Sequence, residues 1–414
     1  MHWWENKFVK VKDEKLYLGE NTAESIAERY GTPLFVYSRE QVRENIKCLR
    51  QVFALEASLE TRICYAMKAN FNADLLKTLK EEGAWIDAVS PGEVEKALEV
   101  GFSPNRILFT GTSVSTSDLE RIFSHEEVIV NIDAEEQLDL MREVKDTAFK
   151  NREIQVMIRW NPGIGSGFSP KTITAGKITS DGTPIKFGVD EKRVLPTLEK
   201  ALSYGFTPVG LHQHLGSGWT KKDFNDVKSA VDKMIQKAIL IQKEGFFLNL
   251  LDFGGGFGPR YSENQDLFPL TEYARYIFEQ LSRSELRVKT LAVEPGKYLV
   301  GDAGVLLLRV EYIKESYGNV FACVNGGTFN TIPRPAIYTQ AHHHILNCRK
   351  PHSENMVRVT VPGNLCETGD VFRKEVLITK PKRGDVLALL CAGAYCRSMA
   401  SNFNLREIPK EVVI

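Results

Sequence analysis

Trp85-Ile86-Asp87-Ala88-Val89 runs almost directly into Pro91-Gly92-Glu93-Val94-Glu95-Lys96-Ala97-Leu98-Glu99-Val100. The first stretch is short, apolar and strand-like, while the second places Val94, Ala97 and Leu98 on one helical face. A strand followed by a helix is one βα unit. The same alternation spreads outward in both directions, with strand-like segments at 63–67, 106–110, 128–131, 154–160, 209–214, 248–253 and 291–294. Helical patterns follow most of them, as at 134–145, 194–204 and 221–244. Strands alternating with helices pair in parallel. Eight such units is the number a closed (β/α)8 barrel requires; an open doubly wound sheet is the competing arrangement.

Beyond residue 300 the texture changes. Segments 305–313, 320–325, 357–361, 375–378 and 385–390 are strand-like, with no long helical pattern between them. They predict a second, mostly antiparallel β domain, which the N-terminal segments 8–11, 15–18 and 33–37 are expected to join. The division that follows is a barrel over 38–300 and a β domain from 1–37 and 301–414. The Gly-, Ser- and Thr-rich stretch 166–187 reads as a loop over one barrel mouth.

Composition narrows the function classes. The 414 residues are 43% hydrophobic and 26% charged, the profile of a globular protein with a sizeable core. Fifty-three basic residues balance fifty-three acidic ones, so no charge excess favours nucleic acid or a membrane surface. Seven scattered cysteines without CxxC spacing read as reduced thiols. Met1-His2-Trp3-Trp4 has no signal-peptide pattern and no run of about 18 apolar residues occurs, so the expectation is a cytoplasmic protein.

Lys68, in Tyr65-Ala66-Met67-Lys68-Ala69-Asn70, stands at the carboxyl end of the first barrel strand, where barrels present catalytic side chains. A lysine in partly apolar surroundings there can form an imine with an aldehyde cofactor; alone, a solvated strand-closing lysine is the commoner case. Gly254-Gly255-Gly256-Phe257-Gly258 follows another strand and lets backbone approach a phosphate, although a glycine run is as often a plain turn. His212 and His214 fall on one face of a strand. No third metal ligand follows at useful spacing, and a ring-stacking histidine near a phosphate-binding Ser217 explains the segment as well as a metal does. His342-His343-His344 reads as packing and surface. Glu294, in Glu294-Pro295-Gly296, is suited either to pairing with a pyridine nitrogen or to a structural ion pair.

Taken together, these motifs resemble the fold-type III pyridoxal-phosphate decarboxylases, which join an alanine-racemase-like barrel to a β domain. Cys366-Glu367-Thr368-Gly369-Asp370, Gly393-Ala394-Tyr395, Ser398 to Asn404 and Arg334-Pro335-Ala336-Ile337-Tyr338 narrow the resemblance to the diaminopimelate decarboxylase family. That resemblance covers nearly the whole chain. It implies pyridoxal 5'-phosphate held as an imine on Lys68, with His214 stacked on its ring and Glu294 on its pyridine nitrogen. Ser217, Gly255, Gly256, Phe257 and Tyr395 would bind the phosphate, and Asp87 and Arg159 would lie near the ring hydroxyl. Lys297, Arg334, Tyr338, Glu367 and Tyr395 would bind the amino-acid substrate. Cys366 and Glu367 would enter the site of a second subunit, making a homodimer, with Cys366 or Lys68 as the acid. No metal is implied. The implied reaction turns meso-2,6-diaminopimelate into L-lysine and carbon dioxide. Alternatives are a decarboxylase of the same fold for ornithine, lysine or a specialised substrate, and a barrel that only binds the cofactor.

The chain departs from the family pattern at several places. Lys297 stands where arginine is usual, Asn325 where aspartate is, Thr328 where methionine is and Thr368 where serine is, and Trp219, unusual after His-Leu-Gly-Ser, also reads as core or rim. These changes are expected to cluster near the substrate.

Overall fold

A computed structural model describes residues 2–55, 59–338 and 340–414. It divides into two compact units, one of residues 46–258 and 266–296, the other of residues 1–45, 259–265 and 297–414.

The first unit holds a closed barrel of eight strands: Glu60–Ala66, Trp85–Ala88, Ile107–Phe109, Ile129–Ile132, Gln155–Arg159, Thr207–His212, Leu250–Asp252 and Thr290–Val293. Every neighbouring pair is parallel, and Val293 opposite Ile63 closes the ring. Closure explains the apolar runs, because both faces of each strand are covered. Cys64, Leu108, Ile129, Met157, Leu250 and Ala292 form one buried cluster. The Pro91–Val100 helix shows how the sequence punctuates a unit. Ser90 caps it by accepting the Glu93 N–H at 3.2 Å, proline opens it, and Gly101 ends it at φ +94°. The Glu93 carboxylate in turn takes the Val89 N–H at 2.8 Å. The 166–187 stretch runs as loop, apart from the short 3-10 turn Pro170–Thr172 and isolated bridges of Ile173 to Gly216 and of Ile178 to Pro184.

The second unit is built on a sheet in the order Ile345–Asn347, Val386–Leu389, Gly304–Ser316, Asn319–Val324, Met356–Pro362 and Val371–Thr379. Leu34–Tyr37 pairs antiparallel with Gly304–Ser316, and Lys410–Val413 lies parallel to Leu34–Tyr37. The sheet is mostly antiparallel, as expected; the pairing of Asn319–Val324 with Met356–Pro362 is a second parallel one. The N-terminal segments divide differently from the expectation. Leu34–Tyr37 joins the large sheet, whereas Val9–Lys12 and Lys15–Leu18 pair with each other and with Asn21–Thr22 in a separate three-stranded sheet. Phe8, Leu16 and Leu18 still share one core with Val305, Leu307 and Ala388. No helix among the described residues is long and apolar enough to cross a membrane.

Candidate active site

The strands of a (β/α)8 barrel turn their carboxyl ends to one mouth, and five of the expected residues meet there. Lys68 sits in the turn Met67–Ala69, directly after the Glu60–Ala66 strand, with its Nζ 2.5 Å from Asp87 Oδ2. Asp87 is brought alongside because it pairs in register with Ala66 on the next strand. Arg159 ends its own strand, its Nε 3.6 Å from Asp133 and its guanidinium 4.6 Å from the Phe187 ring centroid. His214 and Glu294 each lie just beyond a strand end. Lys68, Asp87, Arg159, His212, His214 and Glu294 line one cavity of about 380 Å³, together with Thr110, Thr112, Lys186 and Phe187.

Electrostatics inside this cavity set distinct charge states. Burial pushes the Glu294 carboxyl up, but His212 first and then Lys68 outweigh it and hold the group at about 2. His212 Nε2 is 3.1 Å from Glu294 Oε2, and His214 Nδ1 is 3.7 Å from the same oxygen. His214 is driven down to about 3, first by burial and then by the cations Lys68 and Arg159, despite the pull of Glu294. It is therefore neutral. Its Nδ1 accepts the Gly255 N–H at 3.1 Å, which leaves the ring proton on Nε2. Asp87 is raised by burial and by Glu294, with Lys68 opposing.

The glycine run answers to close packing. A Cβ on Gly255 would lie 2.0 Å from the Glu294 carbonyl oxygen, and one on Gly256 would lie 2.1 Å from the Trp219 indole. Gly254 and Gly256 also take φ of +68° and +138°. The buried Gly256 N–H has no protein acceptor among the described residues. We expect Gly255→Ala to destabilise the fold by about 1–3 kcal/mol or more through overpacking, read as a lower urea midpoint. Gly369→Ala, with nothing within 4 Å of its Cβ position, should leave that midpoint in place.

Ser217, Gly255, Gly256 and Phe257 do not line the cavity itself. Ser217 is tied to the 166–187 loop, its N–H donating to the Thr172 carbonyl at 3.0 Å. Trp219 is core: it is 2% exposed, packs on Phe257, Phe268 and Tyr273, and donates Nε1–H to the Ser166 carbonyl.

The remaining expected residues belong to the second unit. Arg334 opens the short helix Arg334–Ile337, is 3% exposed, and sits 4.9 Å from the Tyr261 ring centroid. Lys297 is 6% exposed, with Nζ 4.9 Å from the Tyr395 ring centroid. Burial, then repulsion from Arg334, pushes the Lys297 amine well below the usual lysine range. Tyr395 holds φ +55°, a costly conformation for a bulky residue and one that clusters at functional sites. Tyr338 ends the Arg334 helix, its N–H on the Arg334 carbonyl at 2.8 Å. Cys366 and Glu367 are exposed on a turn organised by Asp370, which accepts from the Leu365 and Thr328 N–H groups and the Thr328 hydroxyl.

That last contact corrects one expectation. Thr328 and Asn325 are structural anchors rather than parts of a substrate pocket. Thr328 is fully buried on Asp370, and the Asn325 amide donates to the Thr32 carbonyl and hydroxyl. Two residues carry more than the sequence suggested. His212 is bonded to Glu294, and Asp252, unremarked within an apolar run, stands with both of them so that one donor atom of each lies within 4.8 Å of the others. His212, Asp252 and Glu294 are brought together by three neighbouring strands.

A lysine amine, a neutral histidine, an ionised buried carboxylate and an arginine around one cavity match an anionic aromatic aldehyde with a basic ring nitrogen. Glu294 Oε1, buried without a donor among the described residues, supplies the acceptor such a nitrogen needs. The comparisons with known proteins agree. The pyridoxal-binding domain of the pyridoxal-dependent decarboxylases matches residues 39–301. The diaminopimelate decarboxylase of Methanothermobacter thermautotrophicus is 38% identical over 98% of this chain and 92% of its own. That of Aquifex aeolicus is 32% identical over 99% and 93%. The crystal structure of diaminopimelate decarboxylase from Methanocaldococcus jannaschii in complex with L-lysine superposes with a TM-score of 0.90 at 30% identity, over 99% of this chain and 93% of that one. A lysine/ornithine decarboxylase from Vibrio vulnificus, 21% identical with a TM-score of 0.78 over 94% of this chain and 96% of its own, shares the fold. The barrel and its cavity thus define a pyridoxal-phosphate enzyme. Within that class, the chain belongs to the diaminopimelate decarboxylase family.

Proposed function

We propose that this protein decarboxylates meso-2,6-diaminopimelate to L-lysine and carbon dioxide. When bound, pyridoxal phosphate supplies an aldehyde carbon for an amine and a conjugated ring that takes up the electron pair left by departing carbon dioxide. Lys68 would hold the cofactor through Nζ, and Glu294 would keep the ring nitrogen protonated. Neutral His214 would lie against the ring, a role that a charged imidazole would fill poorly. Arg159 and Asp87 would face the ring hydroxyl. Ser217, Gly255, Gly256, Phe257 and Tyr395 would hold the phosphate, the Gly256 N–H being an available donor. The bond from the α-carbon to its carboxylate breaks, and one proton replaces it there, from Lys68 Nζ or the Cys366 thiol.

The observation that carries the choice of substrate is the burial of Lys297 and Arg334 within reach of each other's charge. Two buried like charges repel, and a ligand carboxylate beside them offsets that cost. Ornithine and lysine have no distal carboxylate; diaminopimelate has one. Arg334 would take it in bidentate fashion, Lys297 as a point charge, with Tyr338 alongside. Glu367 would pair with the distal ammonium. Exposed Cys366 and Glu367 suit a site completed by a second copy of the chain, so the proposed active form is a cytoplasmic homodimer.

The test is carbon dioxide release from a panel of amino acids by purified holoenzyme. Release from meso-diaminopimelate with equimolar lysine is expected; release from ornithine or lysine in its place would refute the reading. Arg334→Ala should raise KM for meso-diaminopimelate about 10- to 100-fold, the worth of a charge-assisted hydrogen bond, with a smaller effect on kcat.

A further inference from the structure

Asp252 has no part in the scheme above, yet it is fully buried at the carboxyl end of the Leu250–Asp252 strand. Register sets it directly opposite His212 on one side and Ala292 on the other, two residues before Glu294. His212, Asp252 and Glu294 therefore come from three consecutive strands and converge so that one oxygen or nitrogen of each lies within 4.8 Å of the others, with His212 and Glu294 also lining the cavity. One Asp252 oxygen accepts the Gly254 N–H at 2.8 Å. The other, Oδ2, has no donor among the described residues, and neither has Glu294 Oε1. Two buried carboxyls facing one another with acceptors on both sides lack a proton between them.

We propose that Asp252 is a positioning residue, a neutral acid whose proton donates a hydrogen bond to Glu294 and so fixes that carboxylate, ionised, opposite the cofactor's ring nitrogen. This rests on the role given to Glu294 above. The surroundings place the proton on Asp252 rather than on its neighbour. Burial, then Glu294, then Asp87 push the Asp252 carboxyl well up, with only the Gly254 N–H opposing. Glu294 has His212 and Lys68 to hold its charge. The other titratable groups that feel Asp252, Cys64 and Tyr273, are both buried and pushed up in their turn, so they stay neutral and supply no compensating charge. His212 and Asp252 thus grip Glu294 from adjacent strands, leaving its remaining lone pairs for the ring nitrogen.

Three variants and three readouts test this. Infrared spectra of the apoprotein at neutral pH should show a protonated carboxylic acid that disappears in Asp252→Asn. Asparagine keeps both the donor to Glu294 and the acceptor for Gly254, so it should bind pyridoxal phosphate within a few-fold of the native affinity. Asp252→Ala should bind it about ten-fold or more weakly at pH 7, with the acid limb of the binding profile moved up by about one pH unit, since one unit is one decade. Absence of the acid band, or a native binding profile in Asp252→Ala, would overturn the proposal. Glu294→Gln separates the two readings. If Glu294 did not face the ring nitrogen, that variant would leave the bound cofactor's spectrum unchanged, while the Asp252 acid band would still be present in the native apoprotein.

Discussion

Lys68→Ala will retain pyridoxal phosphate in near-stoichiometric amount but lose the visible absorbance of a lysine-bound aldehyde, and its turnover will fall on the order of 10⁴-fold or more. The size of the loss follows from what Lys68 supplies. A tethered amine is presented to the aldehyde at very high effective concentration, and such positioning is worth several powers of ten. Lys68 is one-third exposed on the cavity side while its Nζ contacts the fully buried Asp87 carboxylate. The side chain is therefore aimed rather than merely exposed. Phosphate analysis distinguishes loss of the covalent bond from loss of the binding site: retained phosphate with lost colour is the expected combination. Alanine also removes the cation that offsets Asp87, so Asp87 should take up a proton more readily in the variant.

Glu294→Gln will lower kcat by about 10²- to 10³-fold with a much smaller change in KM, the range seen when one preorganised electrostatic partner is lost. Glutamine fills the same space and still accepts from His212, but it carries no charge to keep a ring nitrogen protonated. The substitution should also alter the acid side of the stability profile. The Glu294 carboxyl lies at about 2, below its unfolded value of about 4.3, so its ionisation stabilises the fold above that unfolded value. That contribution is lost as pH falls towards 2. The stability difference between native and Glu294→Gln protein, followed by urea unfolding, should therefore narrow as pH drops from about 5 towards 2. A difference that stays constant or widens would mean that Glu294 is not held ionised by its neighbours.

The barrel was legible because closed parallel strands, buried on both faces, appear in the sequence as short apolar runs between helical patterns. Glu60–Ala66 and Thr290–Val293 close the ring from opposite ends of the pattern, and each lies within a few residues of its expected place. The N-terminal hairpin was harder to read. Asp13 and Glu14 take φ of +49° and +60°, the double positive turn of a tight hairpin, but without the Asn-Gly or Asp-Gly pair that usually announces it. Val9–Lys12 and Lys15–Leu18 therefore looked like independent strands of the large sheet. The helix Ala23–Tyr30 is only eight residues long, capped by Thr22, and too short for its periodicity to stand out.

At the site, residues within a recognisable motif were visible, Asp87 and Arg159 came only with the family resemblance, and Asp252 was missed. Lys68, His214 and Glu294 mark strand ends, where chain punctuation draws attention to them. Asp252 lies at the end of an apolar run and shows its importance only when register sets it beside His212. Trp219 looked anomalous in sequence because its burial depends on Phe257, Phe268 and Tyr273, from distant segments. Asn325 and Thr328 misled for the same reason. Their hydrogen bonds to Thr32 and Asp370 are long-range, and nothing local distinguishes an anchor from a substrate contact.

One experiment goes straight to the bond from which the chemistry starts. Holoenzyme treated with borohydride, digested and mapped should carry a single pyridoxyl group, on the peptide containing Tyr65-Ala66-Met67-Lys68-Ala69-Asn70, at the Lys68 side chain. Label on a different lysine, or none at all in protein that still turns over substrate, would contradict the assignment of this cavity as the catalytic centre.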